Sequence, residues 1–176
     1  LAGIISLNIF FLIYFLLYSN ILYEYIVISN LMFCIGFFDD IKIKVSPSKR
    51  LLLMIFSLFF SIHFISIEIF KVDIPFLIDI LRVDIFSSFF VLLCFLFIIN
   101  GANLIDGFNG LLTINIVTIN SILLYINISN GNNEFSIFLI AQIIILLTFL
   151  LYNFPTAKIF LGDSGSYVLG SLVALN

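Results

Sequence analysis

Long unbroken apolar runs, separated by short polar loops, dominate the chain. One ends near Phe38; others extend from Leu51 to Ile67, Ile85 to Ile99, Leu111 to Ile128 and Phe135 to Tyr152. The first 38 residues divide into two such runs, Leu1 to Tyr18 and Ile21 to Phe38, around Ser19-Asn20, and a last run opens near Ser164. Each is about 15 to 20 residues long, close to what a helix needs to cross a hydrocarbon core roughly 30 Å thick. The runs are continuous rather than alternating between apolar and polar, which favours helices over a barrel. The pattern predicts an all-α fold, a polytopic transmembrane bundle of about seven helices. Two lie before Asp39, four between Asp40 and Asn153, and one begins near Ser164.

Composition agrees. The chain is 63% hydrophobic and 10% charged, with a mean hydropathy of +1.31. A soluble domain of 176 residues could not cover that much apolar surface, so the lipid bilayer is its first partner. A net charge of -3 and a pI near 4.8 leave no basic footprint for nucleic acid. The first helix lacks the basic n-region and the small-residue cleavage site of a signal peptide. Cys34 and Cys94 sit within helices without metal-ligand spacing and are read as packing residues. His63, the single histidine, is read as a packed or interfacial side chain.

The acidic residues are the informative ones. Asp39-Asp40 and Asp106 are two crossings apart, and Asp106 and Asp163 are again two apart, so all four face the same side. That side also carries Lys42, Lys44, Lys49, Arg50 and Lys158, against Lys71 and Arg82 opposite. Five basic residues against two make it the cytoplasmic side. Carboxylates gathered at one membrane face suggest a metal-dependent site.

Three motifs carry them. In GFFDDIKIKVSPSKRLLL, Asp39 and Asp40 stand at the negative end of a helix dipole, where a carboxylate wants a cation. Lys49-Arg50 open the next helix at its positive end, an arrangement suited to an anion such as a phosphate, although simple topology-setting charge is the alternative. In NGANLIDGFNGLL, Asn100, Asn103, Asp106 and Asn109 recur at three-residue steps among glycines. A Gly/Asn-rich turn explains the later members but not Asn100 and Asn103, which lie further up the helix. In NFPTAKIFLGDSGSYVLG, Asp163 follows Gly162 just before the last apolar run; alone, it reads as a helix cap.

Together, and in this order, GFFDD…SPSKRLLL, NGANLIDGFNGL and NFPTAKIFLGDSGS resemble the signature set of the polyprenyl-phosphate N-acetylhexosamine-1-phosphate transferases. The resemblance covers essentially the whole chain. It implies a Mg²⁺-dependent (or Mn²⁺-dependent) enzyme at the cytoplasmic face of the inner (plasma) membrane. The implied partners are a UDP-N-acetylhexosamine and polyprenyl (undecaprenyl) phosphate, and the products are polyprenyl-diphosphate-sugar and UMP. Asp163 and Asn103 would ligate the metal, with Asp39 and Asp40 beside it and Asp106 in the polar wall. Lys49 would hold the diphosphate and Phe160 would stack on uracil, whose edge Asn109 would read. Asn100 is counted with the substrate-binding positions. Direct attack by the lipid phosphate is the preferred mechanism, with a covalent aspartyl intermediate as the alternative.

Residues 1–176 then read as a single transmembrane catalytic domain, truncated at both ends, since the chain opens at Leu1 and stops at Asn176 inside an apolar run. The family's later basic loop, which helps choose the sugar, would lie beyond Asn176. Many bacterial members carry Asp where this chain has Asn109, whereas the eukaryotic branch carries Asn. Gly-Asp-Ser-Gly-Ser and Ser-Pro-Ser-Lys lean towards a GlcNAc-1-phosphate donor, with a muramoyl-pentapeptide phosphotransferase as the alternative. Homodimers occur in the family. An ion-coupled carrier would place its acids near mid-bilayer, an alcohol phosphotransferase would carry an Ala-Arg pair absent here, and a non-catalytic membrane scaffold would be free to lose the acids.

Overall fold

A computed structural model describes residues 23–41, 45–65 and 81–176. They form six α-helices: α1 Tyr23–Asp40, α2 Pro47–Ile65, α3 Asp84–Ile105, α4 Leu111–Ser129, α5 Asn133–Asn153 and α6 Gly162–Leu175. Of the seven expected helices, the first (residues 1–18) lies outside the described residues, as do Lys42, Lys44 and residues 66–80. Helices α2 to α5 are long and apolar enough to cross a membrane, so the chain is a multi-pass membrane protein.

The helices extend past the apolar runs into the polar motifs. α1 carries Asp39 and Asp40 in its last turn, and α3 continues beyond Ile99 through Asn100 and Asn103 to Ile105. α2 begins at Pro47, four residues before its apolar run; proline suits a first turn, where no backbone N–H is needed. Helical hydrogen bonds are local, so a helix end projecting beyond the hydrocarbon carries polar side chains without penalty. At the opposite ends, Glu24, Asp84 and Glu134 occupy the first turns of α1, α3 and α5. There the positive end of the dipole favours a carboxylate.

The centre of the bundle is α6. Every residue from Ser164 to Leu172 is buried, which a stretch so rich in glycine and serine achieves by letting neighbouring backbones come close. A methyl group added at Gly36 of α1 would lie 2.5 Å from the Ser164 backbone, and one at Gly170 would lie 2.8 Å from Ile99 Cα of α3. At the other end of the α1–α6 pair, the Tyr25 hydroxyl donates to the Leu175 carbonyl at 3.0 Å, which fixes the two helices as antiparallel. One apolar cluster (Phe138, Leu146, Ile116, Val168) joins α6 to α4 and α5. The other (Met32, Leu58, Phe95, Tyr167) joins it to α1, α2 and α3. Within the α4–α5 pair, Asn120 Nδ2 donates to Gln142 Oε1 at 2.9 Å. Phe56, Phe64, Phe97 and Leu151 point outward, as side chains in contact with lipid do.

Candidate active site

Four helix ends meet at one end of the bundle: the C-termini of α1 and α3 and the N-termini of α2 and α6. The junction is built on Asp40. Its Oδ1 accepts the Asp163 N–H at 3.0 Å, and its Oδ2 accepts the Ser164 N–H at 3.2 Å together with the Ser164 hydroxyl. A carboxylate from one helix therefore caps the positive end of another, whose first N–H groups have no partner of their own. Asp163 itself lies in the first turn of α6, not at the cap. The capping role that its position alone suggested falls to Asp40, 123 residues away. Gly162 makes this approach sterically accessible. Its φ is +72°, and a Cβ there would sit 2.7 Å from both Asp40 carboxylate oxygens.

Beside this cap, Arg50 Nη1 donates to Asp39 Oδ2 at 2.9 Å and also to Asp163 Oδ2. Two carboxylates from different helices thus turn an oxygen towards a single cationic nitrogen. The other oxygen of Asp163, Oδ1, accepts from Asn103 Nδ2 at 3.0 Å. The same amide donates to Ser166 Oγ at 2.8 Å. Asn103, expected as a metal ligand, holds the Asp163 carboxylate through its N–H in this arrangement.

Asp106 is the C-cap of α3, its N–H bonded to the Ala102 carbonyl at 3.0 Å. Burial, and then the charge of Asp163, push its carboxyl up to about 6. Asn100 donates to Leu96 of its own helix at 2.7 Å. It also lines a cavity of ≈ 180 Å³ between α2 and α3, shared with Arg50, Met54, Asn103 and Tyr167. Lys49 lies exposed in the first turn of α2. Asn109, also exposed, donates its amide to the Pro155 carbonyl at 3.2 Å, which ties the α3–α4 turn to the segment between α5 and α6. Phe160, on that segment, is 66% exposed at the same end of the bundle. Buried Asn153 completes the tie: its Oδ1 accepts the Gly110 N–H at 2.6 Å and its Nδ2 donates to Ile159 O at 2.8 Å.

The structure therefore brings Asp39, Asp40, Asp163 and Asn103 into one hydrogen-bonded cluster, places Asp106 within electrostatic reach of it, and leaves Lys49, Asn109 and Phe160 on the surrounding surface. The residue that sequence reasoning passed over is Arg50, taken only as half of a basic pair. A signal existed. Arg50, Met54, Leu58 and Ser61 follow helical spacing, and the last three form the buried face of α2; Lys49 lies off it. Ser164 and Ser166 were likewise visible only as part of a motif.

A hard divalent cation suits this donor set. Mg²⁺ is held by one or two carboxylates together with substrate phosphates rather than by an all-protein cage. Asp39 and Asp163 already present oxygens to a common positive charge. Among the described residues, no three acidic, histidine or cysteine side chains are grouped so that they could hold a metal ion by themselves.

The family profile for glycosyl transferase family 4 matches residues 22–176, and the chain belongs to that family. It is similar to the phospho-N-acetylmuramoyl-pentapeptide-transferase of Clostridium perfringens (strain 13 / Type A), with 35% identity over 149 residues, covering 80% of this chain and 47% of the relative. The transferase of the same name from Streptococcus uberis is 32% identical over 154 residues, covering 80% of this chain and 44% of that protein. That of Streptococcus agalactiae serotype III is 33% identical over 156 residues, with the same coverage. The chain spans about half the length of the curated relatives it matches.

Proposed function

We propose that the protein to which this chain belongs transfers a phospho-N-acetylhexosamine unit from a UDP-sugar to polyprenyl phosphate at the cytoplasmic face of the membrane. Family membership supports the reaction class. The observation that carries the reading is the convergence of Asp39 and Asp163, from α1 and α6, on one cationic nitrogen at a single end of a membrane bundle. Carboxylates at helix ends, not at mid-span, support an enzyme over an ion-coupled carrier. The preponderance of Lys and Arg on that side supports the cytoplasmic orientation.

For the transferred group, the relatives favour N-acetylmuramoyl-pentapeptide phosphate, as their names state. That choice takes precedence over the GlcNAc-1-phosphate donor towards which Gly-Asp-Ser-Gly-Ser leaned.

In the proposed reaction an oxygen of the lipid phosphate attacks the sugar-linked phosphorus of the donor. The phosphoanhydride bond breaks and UMP departs with the bridging oxygen. A phosphate monoester has its second pKa near 6, so near neutral pH the nucleophile is already mostly a dianion and needs little help from a base. Asp39 and Asp163 would hold Mg²⁺ or Mn²⁺, which supplies positive charge to the diphosphate when bound. Asp40 fixes the N-terminus of α6, and with it the position of Asp163. Lys49 is proposed to contact the donor phosphates from the solvent side, Phe160 and Asn109 to contact uracil, and Asn100 and Asp106 to form the polar wall.

Membranes containing the full-length protein and undecaprenyl phosphate, offered labelled UDP-N-acetylmuramoyl-pentapeptide or UDP-GlcNAc in separate reactions, test the donor. Label entering the lipid from the first alone is the expected result. Transfer from UDP-GlcNAc alone would restore the other donor, and transfer from neither would remove the reading.

A further inference from the structure

We propose that Arg50 and a divalent cation are alternative occupants of the gap between Asp39 and Asp163, so that the guanidinium holds the two carboxylates together until the metal displaces it. This rests on the proposed role of Asp163 as a metal ligand. It adds a part for a residue outside that ligand set.

The geometry points to exchange rather than coexistence. A single atom, Nη1, donates to Oδ2 of both carboxylates, at 2.9 Å in the case of Asp39. Mg²⁺ requires its oxygens at roughly 2.0–2.1 Å. A cation that close to both oxygens would take the lone pairs the guanidinium uses and would repel its charge. Some cation is needed there in any case. The packing of Gly36 against Ser164 fixes the ends of α1 and α6 side by side, and two carboxylates held together without one disfavour each other's charge.

Two further observations concern how Arg50 is held. Its Nε is buried and has no hydrogen-bond partner, so the side chain is gripped at its tip and not along its length. A route of retreat also exists. Arg50 lines the ≈ 180 Å³ cavity between α2 and α3, where Asn100, Asn103 and Tyr167 supply polar atoms. In the proposed exchange the guanidinium would withdraw into this cavity when the metal binds.

The test uses purified full-length protein in detergent, without nucleotide or lipid phosphate. Mn²⁺ binding is followed by electron paramagnetic resonance, and melting temperature is read in EDTA and in Mg²⁺. Arg50→Gln should bind Mn²⁺ at least tenfold more tightly than wild type. It should melt lower in EDTA and gain more from Mg²⁺. Arg50→Lys, which keeps a charge but cannot span both carboxylates in the same way, should fall between; it carries the comparison if Arg50→Gln does not fold. Equal or weaker Mn²⁺ binding by these variants would overturn the exchange, because the guanidinium and the metal would then coexist. Asp163→Asn separates the two levels. If wild-type Mn²⁺ binding survives that substitution, the metal assignment itself fails and the exchange fails with it.

Discussion

Replacing Gly162 with alanine adds one methyl group at the place where α1 and α6 are joined. The new Cβ would stand 2.7 Å from Oδ1 and Oδ2 of Asp40 and 2.9 Å from its Cγ, on a residue with φ of +72°. The left-handed conformation alone costs an alanine about 1 kcal/mol. To relieve the contact, the Asp40 carboxylate must withdraw by several tenths of an ångström, which stretches its bonds to the Asp163 and Ser164 N–H groups, now 3.0 and 3.2 Å. Loss of a helix cap costs about 1–2 kcal/mol. Together these give a destabilisation of about 2–3 kcal/mol. At roughly 2–4 °C per kcal/mol for about 150–250 residues, and about half that for a protein of the relatives' length, the apparent melting temperature of the full-length protein should fall by roughly 2–6 °C. The assay is thermal unfolding of the full-length protein in detergent, with Gly101→Ala as the control, since nothing lies within 4 Å of a Cβ at Gly101. If Gly162→Ala melted with Gly101→Ala, the account of Asp40 as the cap of α6 would be refuted.

Further substitutions probe the remaining joints. Gly36→Ala pushes a methyl group to 2.5 Å from the Ser164 Cα and N. It should cost about 1–3 kcal/mol by overpacking and reduce transfer activity by displacing the Asp163 helix, as paired melting curves and turnover would record. Asn153→Leu leaves the buried Gly110 N–H without its acceptor and should cost about 1–3 kcal/mol in the same unfolding assay. Asp106 titrates near 6, above the ordinary carboxylate value, because of burial and then the charge of Asp163. A raised carboxyl pKa means that the folded state binds the proton more tightly than the unfolded chain. Its contribution to stability is full below about pH 4 and is lost as pH rises through about 6. Asp106→Asn should flatten that part of the pH–stability curve measured in EDTA, and parallel curves for the two proteins would count against the shift.

The apolar runs made most of this fold legible, because a segment that must satisfy its backbone inside lipid has little choice but to be a helix. They were poorer guides to where helices end. The runs stop near Phe38 and Ile99, yet α1 continues through Asp39 and Asp40 and α3 through Asn100 and Asn103 to Ile105, since helical hydrogen bonding continues past the last lipid-facing side chain. The counting of crossings correctly brought Asp39, Asp40, Asp106 and Asp163 to one end. It could not reveal that Asp40 is turned inwards as a cap while Asp39 faces Arg50, because neighbouring residues on a helix point about 100° apart and only the packing of α6 decides which is which. The choice between Lys49 and Arg50 failed for the same reason. In a helix apolar on every side, the buried stripe through Met54 and Leu58 has no contrast in hydropathy to mark it. The central place of α6 depends on Gly36 and Gly170 meeting partners far away in sequence, and no local pattern records that.

We propose that the Asp39–Asp163 pair is the working centre of a phospho-sugar transferase. It is tested most directly by measuring label transfer to undecaprenyl phosphate by full-length wild type and Asp163→Asn across a Mg²⁺ titration, with melting curves for both proteins. Transfer should require the metal and fall by roughly two to three orders of magnitude in Asp163→Asn, comparable to the loss of one electrostatic contact to the transition state, while the variant still unfolds cooperatively. Transfer at the wild-type rate by a folded Asp163→Asn, or transfer undiminished in EDTA, would contradict it.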